Sequence, residues 1–312
     1  MASVLDSDRL ALGAFVGAVA IGGTNFVAVR FSNRGLDPFW GAGLRFALAA
    51  VIFGILCAAL RVSLPRGRGL ALAVAYGLLA FGGTYGCLYW ALQDVPAGAA
   101  AVVLAVGPLL TLLLAVAHGL ERLSRRALGG AVFALAGSAL IFFQPGSFAF
   151  GWRSLALLAA GALFASEAVV VSKLAGPQHP AAINLVGSSV GALVLVGAAV
   201  VAGERLALPA AQEAQVALAY LVLATVGLFL LALVVVQRWA ASAVAYIFVL
   251  MPVVAIALGA LLAGEPVTLT TVAGAVIVGA GVYVGAARSR PSRPRFRSRT
   301  PVRAQAAQPA SR

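Results

Sequence analysis

The chain has 312 residues, of which 62% are hydrophobic and only 10% are charged, and its formal net charge is +13. Soluble globular proteins carry about 25% charged residues, so the composition excludes a water-soluble protein and indicates that lipid surrounds most of the chain. Eight arginines and no acid lie in residues 288–312. The positive charge is therefore largely confined to this tail, which excludes a nucleic-acid-binding surface and is typical of a basic, disordered cytoplasmic tail.

Apolar runs bounded by charged, proline or polar clusters predict ten transmembrane helices in chain order. They are 10–29, 38–60, 70–91, 97–119, 127–143, 154–172, 180–202, 214–236, 243–263 and 267–287. The first run follows an acidic segment that holds Asp6 and Asp8, which favours a retained helix over a signal peptide. With the N-terminus inside, 17 basic residues lie on the cytoplasmic side and four lie outside. The positive-inside rule thus predicts a multi-pass protein of the inner or plasma membrane with both termini cytoplasmic.

The chain repeats itself. An offset of 144 residues aligns Pro108 with Pro252 and also aligns Gln93 with Gln237, while an offset of 142 upstream aligns Asn25 with Glu167. Five helices per copy turn the second copy upside down, so the fold class is an all-α integral membrane protein with ten transmembrane helices in two inverted five-helix repeats. The predicted parts are a cytoplasmic N-terminus, two repeats and the tail: 1–9, 10–144, 153–287 and 288–312.

Several stretches together resemble the EamA-type transporters of the drug/metabolite transporter superfamily. They are 23–30 in the first helix, 44–46 in the second, 121–124 before the fifth, and 264–266 in the second copy. The resemblance covers about residues 10–287. It implies a ten-helix inner-membrane carrier, often an exporter of amino acids, metabolites or drugs. The chain departs from the family around 165–167, where the carboxylate of Glu167 replaces the usual aromatic or apolar residue.

Glu167 is the one acid that lies well inside a predicted helix, about 9 Å from its end at about 1.5 Å per residue. A charged side chain at membrane depth costs about 2.5–3.5 kcal/mol on insertion scales and is by default a functional residue. We interpret Glu167 as a proton-coupling site or as the partner of a cationic group on the substrate. The structural alternative is a protonated side chain bonded to Asn184 or Ser188.

Arg45 is the matching cation inside the second helix, and Asn25 lies at a similar depth in the first. Two interpretations remain open for Arg45. A hydrogen-bonded pair of Asn25 and Arg45 would lock the first two helices together, or Arg45 would recognise a carboxylate of the substrate.

Two tyrosines and two prolines complete the candidate site. Tyr85, deep in the third helix, and Tyr246, close to Pro252, are candidates for the pocket wall, since aromatic rings suit aromatic or cationic solutes. Pro108 and Pro252 lie near the middle of the fourth and ninth helices, where each frees a backbone carbonyl four residues earlier. They are predicted to act as hinges or to shape the pocket.

The remaining polar residues fit structural roles. Ser124 and Thr268 are predicted N-caps, and Glu121 is assigned to turn chemistry. His118 and His179 are predicted to be solvated. Cys57 and Cys87 are interpreted as buried free thiols.

These patterns favour a secondary transporter, whose plan is an inverted repeat, over an enzyme. The nine acids form no acid–base or metal-binding spacing within the membrane, so catalytic, cofactor and metal sites are not predicted. The predicted carrier exports small metabolites, amino acids or drug-like cations by alternating access, and the alternative is a passive channel or a scaffold without coupled transport. Its partners are a small-molecule substrate, the lipid bilayer and protons as a candidate coupling ion; nucleic acid is excluded, and a homodimer is left open.

Overall fold

The computed structural model describes residues 2–32, 34–91, 103–142, 151–263 and 268–286. Within these ranges the chain folds into ten helices. Those of the first half are α1 (Ala2–Ser32), α2 (Pro38–Ala59), α3 (Arg68–Ala91), α4 (Gly107–Ala117) and α5 (Arg125–Phe142). Those of the second half are α6 (Trp152–Leu174), α7 (Pro180–Ala202), α8 (Gln212–Arg238), α9 (Ala241–Val244 and Tyr246–Ala263) and α10 (Leu269–Ala286). The predicted fold class is confirmed: every described helix falls on a predicted span, and the described residues contain no strand.

Five helices are long and apolar enough to cross a bilayer by themselves, namely α2, α3, α6, α7 and α8. Their sequences run almost without charge for 22 to 27 residues, and a helix of about 20 residues spans the hydrocarbon layer. Helix α1 begins at Ala2, earlier than predicted, because the polar residues before position 10 continue the helix. Helix α3 contains a π-helical segment, Leu78–Gly83, and α9 is interrupted at Ala245.

The two halves interleave around a pseudo-twofold axis. Helix α1 packs along α8 and α9, and its counterpart α6 packs along α3 and α4. Helices α2 and α7 pair with each other, as do α5 and α10. Each contact thus recurs when every helix is replaced by its repeat partner, which is what an inverted repeat requires.

Glycines at matched positions bring α5 and α10 together. A Cβ added at Gly137 would lie 2.7 Å from the carbonyl oxygen of Gly274, and one added at Gly281 would lie 2.7 Å from that of Gly130. No side chain fits at these distances, so the two backbones touch directly. Small residues serve this close packing in membranes, where helices gain little from hydrophobic burial.

The structure tests two predictions on local structure, the helix caps and the free thiols. The predicted caps are confirmed, since Ser124 Oγ accepts from Ala127 N at 3.0 Å and Thr268 Oγ1 accepts from Thr271 N at 3.2 Å. Cys57 is buried and Cys87 half-buried, and both are free thiols. The arginine-rich tail and the predicted repeat residues Gln93 and Glu265 lie outside the described residues.

Candidate functional site

Arg45 lies within α2 and is almost completely buried, with a relative exposure of 2%. Its Nε donates to Thr225 Oγ1 on α8 at 2.5 Å, and that hydroxyl in turn donates to the carbonyl oxygen of Leu221 at 2.6 Å. The hydroxyl of Thr225 is oriented by its own helix and presents a lone pair to the guanidinium. One hydrogen bond between the halves therefore fixes the position of Arg45.

Aromatic rings surround the same guanidinium. Its central carbon lies 5.7 Å from the ring centroid of Tyr85 and 5.5 Å from that of Phe46. The two rings meet edge to face at 4.8 Å, and Tyr89 lies 6.2 Å beyond Tyr85. Cation–π attraction stabilises a guanidinium at such distances, and it does so without neutralising the charge.

Arg45 retains unused hydrogen-bonding capacity. Its Nη2 is buried without a partner, and none of the described Asp or Glu side chains forms an ion pair with it. Asn25 Oδ1 is also buried without a partner. Because arginine only donates, a bond from Arg45 to Asn25 would have to use that oxygen. The predicted Asn25–Arg45 pair is therefore wrong, and Thr225 takes the place of Asn25.

Glu167 lies in α6 and faces the end of α4. Its Oε1 lies 3.3 Å from Nε2 of His118, and its Oε2 is buried without a partner. The alternative partners are engaged elsewhere: Asn184 Oδ1 accepts from Tyr76, and Ser188 donates to the carbonyl oxygen of Asn184. The bond of Glu167 to either residue is therefore not formed. His118 is exposed, as expected, and its ring also contacts Glu167.

Two charged side chains contact the C-terminal end of α8 and the start of α9. Lys173 Nζ donates to the carbonyl oxygens of Val236 and Trp239, at 2.5 and 2.7 Å. Glu121 accepts from both the backbone N and the Oγ of Ser242, at 3.0 and 2.6 Å. The turn chemistry predicted for Glu121 is confirmed, and it closes the turn between the two helices.

At the opposite end, the segment between α7 and α8 crosses onto the first half. Glu204 accepts from the backbone N–H groups of Phe39 and Trp40 at 3.1 and 2.7 Å, which satisfies the free donors at the start of α2. Asp37 accepts from Arg205 N at 2.8 Å, again across the halves. We call the contacts of Glu204 and Asp37 the outer clasp.

The other predicted site residues occupy different places. Pro108 lies in the first turn of α4, after a turn at 105–106, rather than within a continuous helix. Pro252 lies inside α9, as predicted. Tyr246 is 2% exposed in the apolar core, where its hydroxyl lies against the backbone of Gly285.

The structure thus brings together two of the predicted residues, Arg45 and Tyr85, and gives Glu167 a partner that the sequence analysis did not assign. Thr225 and His118 are the residues that sequence reasoning missed. Thr225 is a polar residue in the middle of an otherwise apolar helix, and that signal could have identified it. Among the described residues, no group of three or more His, Cys, Asp or Glu side chains could hold a metal ion.

Comparison with known proteins agrees with this architecture. The EamA-like transporter family matches the chain twice, over residues 9–143 and 151–285. A probable amino-acid metabolite efflux pump of Salmonella typhimurium is 28% identical over 293 residues, which cover 85% of this chain and 91% of that protein. An uncharacterized inner membrane transporter of Escherichia coli, YedA, is 30% identical and covers 81% of this chain and 83% of its own.

A probable terminal-alkyne amino-acid exporter of Streptantibioticus cattleyicolor is 31% identical over 153 residues, or 48% of this chain, and the match spans only half of that relative. A solved crystal structure superimposes with a TM-score of 0.75 at 17% identity, covering 89% of this chain and 98% of that one. The crystal structure supports the fold alone.

Proposed function

The chain belongs to the EamA-like transporter family, and from that premise we propose that it exports amino acids or related metabolites that carry a carboxylate. Its membrane helices and its transporter relatives agree with the predicted class of small-molecule carrier, not enzyme. Two relatives are named as exporters of amino acids or their metabolites. Our proposal concerns the substrate, the direction of transport and the mechanism.

The buried, unneutralised guanidinium of Arg45 is the observation that carries this proposal. A charge inside the membrane is costly unless it is paired, and the groups around Arg45 are the neutral hydroxyls of Thr225 and Tyr89 and two aromatic faces. A substrate carboxylate would supply the missing countercharge and accept from the free Nη2. A cationic substrate would be repelled at this point, so the geometry favours carboxylates over drug-like cations.

In this mechanism the substrate displaces no ion pair when it binds. The carboxylate contacts Arg45, while Tyr85 forms one wall of the site through its contact with the same guanidinium. The bond between Arg45 and Thr225 joins α2 to α8, that is, one half to the other. A substrate that binds beside this hydrogen bond therefore lies between the two halves, and the relative position of the halves changes during alternating access.

Counterflow in proteoliposomes tests the proposal. Proteoliposomes that contain the purified protein are loaded with an unlabelled amino acid, and the entry of the labelled amino acid is followed. Each amino acid is then compared with its carboxamide and with its decarboxylated amine. We expect saturable exchange that requires the free carboxylate. Equal exchange of the carboxamide would contradict the proposal, and flux that does not saturate would indicate a channel.

Orientation is tested separately. We propose that both termini are cytoplasmic, so reporter fusions after Arg68 and after Ser147 should lie on opposite sides of the membrane. With this orientation Arg45 lies nearer the outer side, Glu167 lies nearer the inner side, and the outer clasp faces away from the cytoplasm. Reporters on the same side would exclude this topology.

A further inference from the structure

We propose that His118 and Glu167 hold the proton that drives transport as a shared pair, with His118 as the group that exchanges it with the inner aqueous side. This inference rests on the proposed function, since it names the coupling ion of the same carrier. It adds a residue, His118, to which the sequence analysis gave no role.

His118 follows the last residue of α4, and its ring is held from two sides. Nδ1 lies 2.9 Å from the carbonyl oxygen of Leu114, one turn earlier, and Nε2 lies 3.3 Å from Glu167 Oε1 on α6. The ring therefore spans the gap between a helix end and a carboxyl group that belongs to the other half.

The backbone carbonyl decides the tautomer. A carbonyl oxygen accepts and never donates, so the hydrogen on this contact belongs to Nδ1. Nε2 then faces Glu167 with either a hydrogen or a lone pair. In one state Nε2–H donates to the carboxylate; in the other the lone pair of Nε2 accepts from the carboxylic acid.

These two states differ only in the position of one proton. When it moves, the N–H bond breaks with its electron pair left on Nε2, and an O–H bond forms at Oε1. The pair then changes from imidazolium and carboxylate to neutral imidazole and carboxylic acid, without a change in total charge. A proton taken up or released from the inner side changes the charge of the pair by one.

The side chains of His118 and Glu167 differ in exposure, and this difference indicates from which side a proton reaches the pair. The side chain of His118 is 37% exposed, whereas that of Glu167 is 23% exposed and its Oε2 is buried without a partner. His118, at the end of α4, is thus the more exposed member of the pair and the one that we place toward the inner aqueous side. A proton that enters at His118 reaches a carboxyl group whose second oxygen faces the packed interior.

The ionisable groups near His118 and Glu167 make their contacts with other residues. Lys173, which lies on the same helix as Glu167, donates to the backbone carbonyls of Val236 and Trp239. Glu121, which follows α4, accepts from Ser242. Arg238 at the end of α8 bonds a carbonyl of its own helix, and Cys87 of α3 lies against Gly161, well before Glu167 in α6. Among the tyrosines on the helices that pack against α6, Tyr85 and Tyr89 lie beside Arg45, and Tyr246 lies against the backbone of Gly285. Tyr76 donates to Asn184, and Tyr220 bonds Thr24.

The test compares gradient-driven transport with counterflow in proteoliposomes that contain the full-length protein. Variants are His118→Gln and Glu167→Gln, and the matched control is His179→Gln, which changes the only other histidine of the chain. We expect the first two to lose transport driven by a pH gradient while counterflow persists, because exchange needs no net proton movement. The control should behave as the parent in both assays.

Gradient-driven transport by His118→Gln at the level of the control would overturn the inference and leave the proposed function standing. Absence of counterflow in the parent protein would instead overturn the proposed function. A measurement on the parent alone guards against a misfolded variant: substrate added in weak buffer should change the pH by about one proton per carrier. No pH change on binding would also overturn the inference.

Discussion

The two halves of this protein are alike in packing and unlike in polar chemistry. Among the described residues, the main helix pairs recur under the repeat: α1 with α8 and α9 matches α6 with α3 and α4, and α2 with α8 matches α7 with α3. At matched positions, however, Asn25 of α1 corresponds to Glu167 of α6, and Arg45 of α2 corresponds to Gly187 of α7, which touches the rings of Tyr76 and Phe81. The repeat has kept its shape while its charged groups have diverged.

This difference assigns separate tasks to the two halves. The first half carries a guanidinium that stays charged at any physiological pH. The second half carries the carboxyl group of Glu167, which contacts the imidazole of His118 at the end of α4 in the first half. A permanent charge suits the recognition of an anion, and titratable groups suit coupling, so the asymmetry separates binding from energy input.

Removing the permanent charge should have the largest effect. Arg45→Ala is expected to weaken carboxylate transport by about 30-fold or more, since loss of a buried charged partner costs about 2–5 kcal/mol. Arg45→Lys keeps a positive charge but lacks the planar guanidinium, so its carboxylate transport should lie between that of the parent and that of Arg45→Ala. Concentration-dependent counterflow measures the change. Arg34→Ala, at a side chain that is 67% exposed, is the control, and unchanged transport in Arg45→Ala would break the assignment of binding to the first half.

Matched glycine substitutions should sharpen the similarity in packing. Gly137→Ala and Gly281→Ala each place a Cβ within 2.7 Å of the facing backbone and should lower stability by about 1–3 kcal/mol, the usual cost of overpacking. Gly129→Ala and Gly279→Ala meet open space and should cause no loss. Thermal unfolding in detergent compares the four variants. Unequal losses at Gly137 and Gly281 would show that the twofold relation fails at this seam.

The outer clasp should give the smallest effect. Glu204→Ala removes the acceptor of two N–H groups at the start of α2 and should cost about 0.5–2 kcal/mol, as the loss of a helix cap does. The matched connection after α2, residues 60–67, contains no acid, so no equivalent loss exists in the first half. Glu213→Ala is the control because its side chain is 73% exposed and its ion pair is long at 3.6 Å. Equal unfolding temperatures for both variants would show that the clasp adds no stability.

The sequence was sufficient for the helices because hydrophobic runs and punctuation are local signals. The caps at Ser124 and Thr268 and the position of Pro252 follow from such signals. The hydrogen-bond partner of a buried polar side chain does not follow from local signals. Asn25 and Thr225 were both polar groups available to Arg45, and only the rotation of α8 against α2 decides between them.

His118 shows the same limit. It is separated from Glu167 by 49 positions, in another half, and the end of a helix normally implies a solvated side chain. The turn at 105–106 that places Pro108 in the first turn of α4 depends equally on packing, because a proline is compatible with both a helix start and a helix interior in membranes.

Interleaving of the halves has a consequence for how the protein is made. Helices enter the membrane in the order of translation, yet α1 packs along α8 and α9, and Arg45 bonds Thr225. The ribosome therefore delivers the arginine to the bilayer long before it has synthesised the threonine that will receive it. During that interval each of the first five helices lacks its main partner from the second half, so Arg45 resides in the bilayer without Thr225 until α8 has been made.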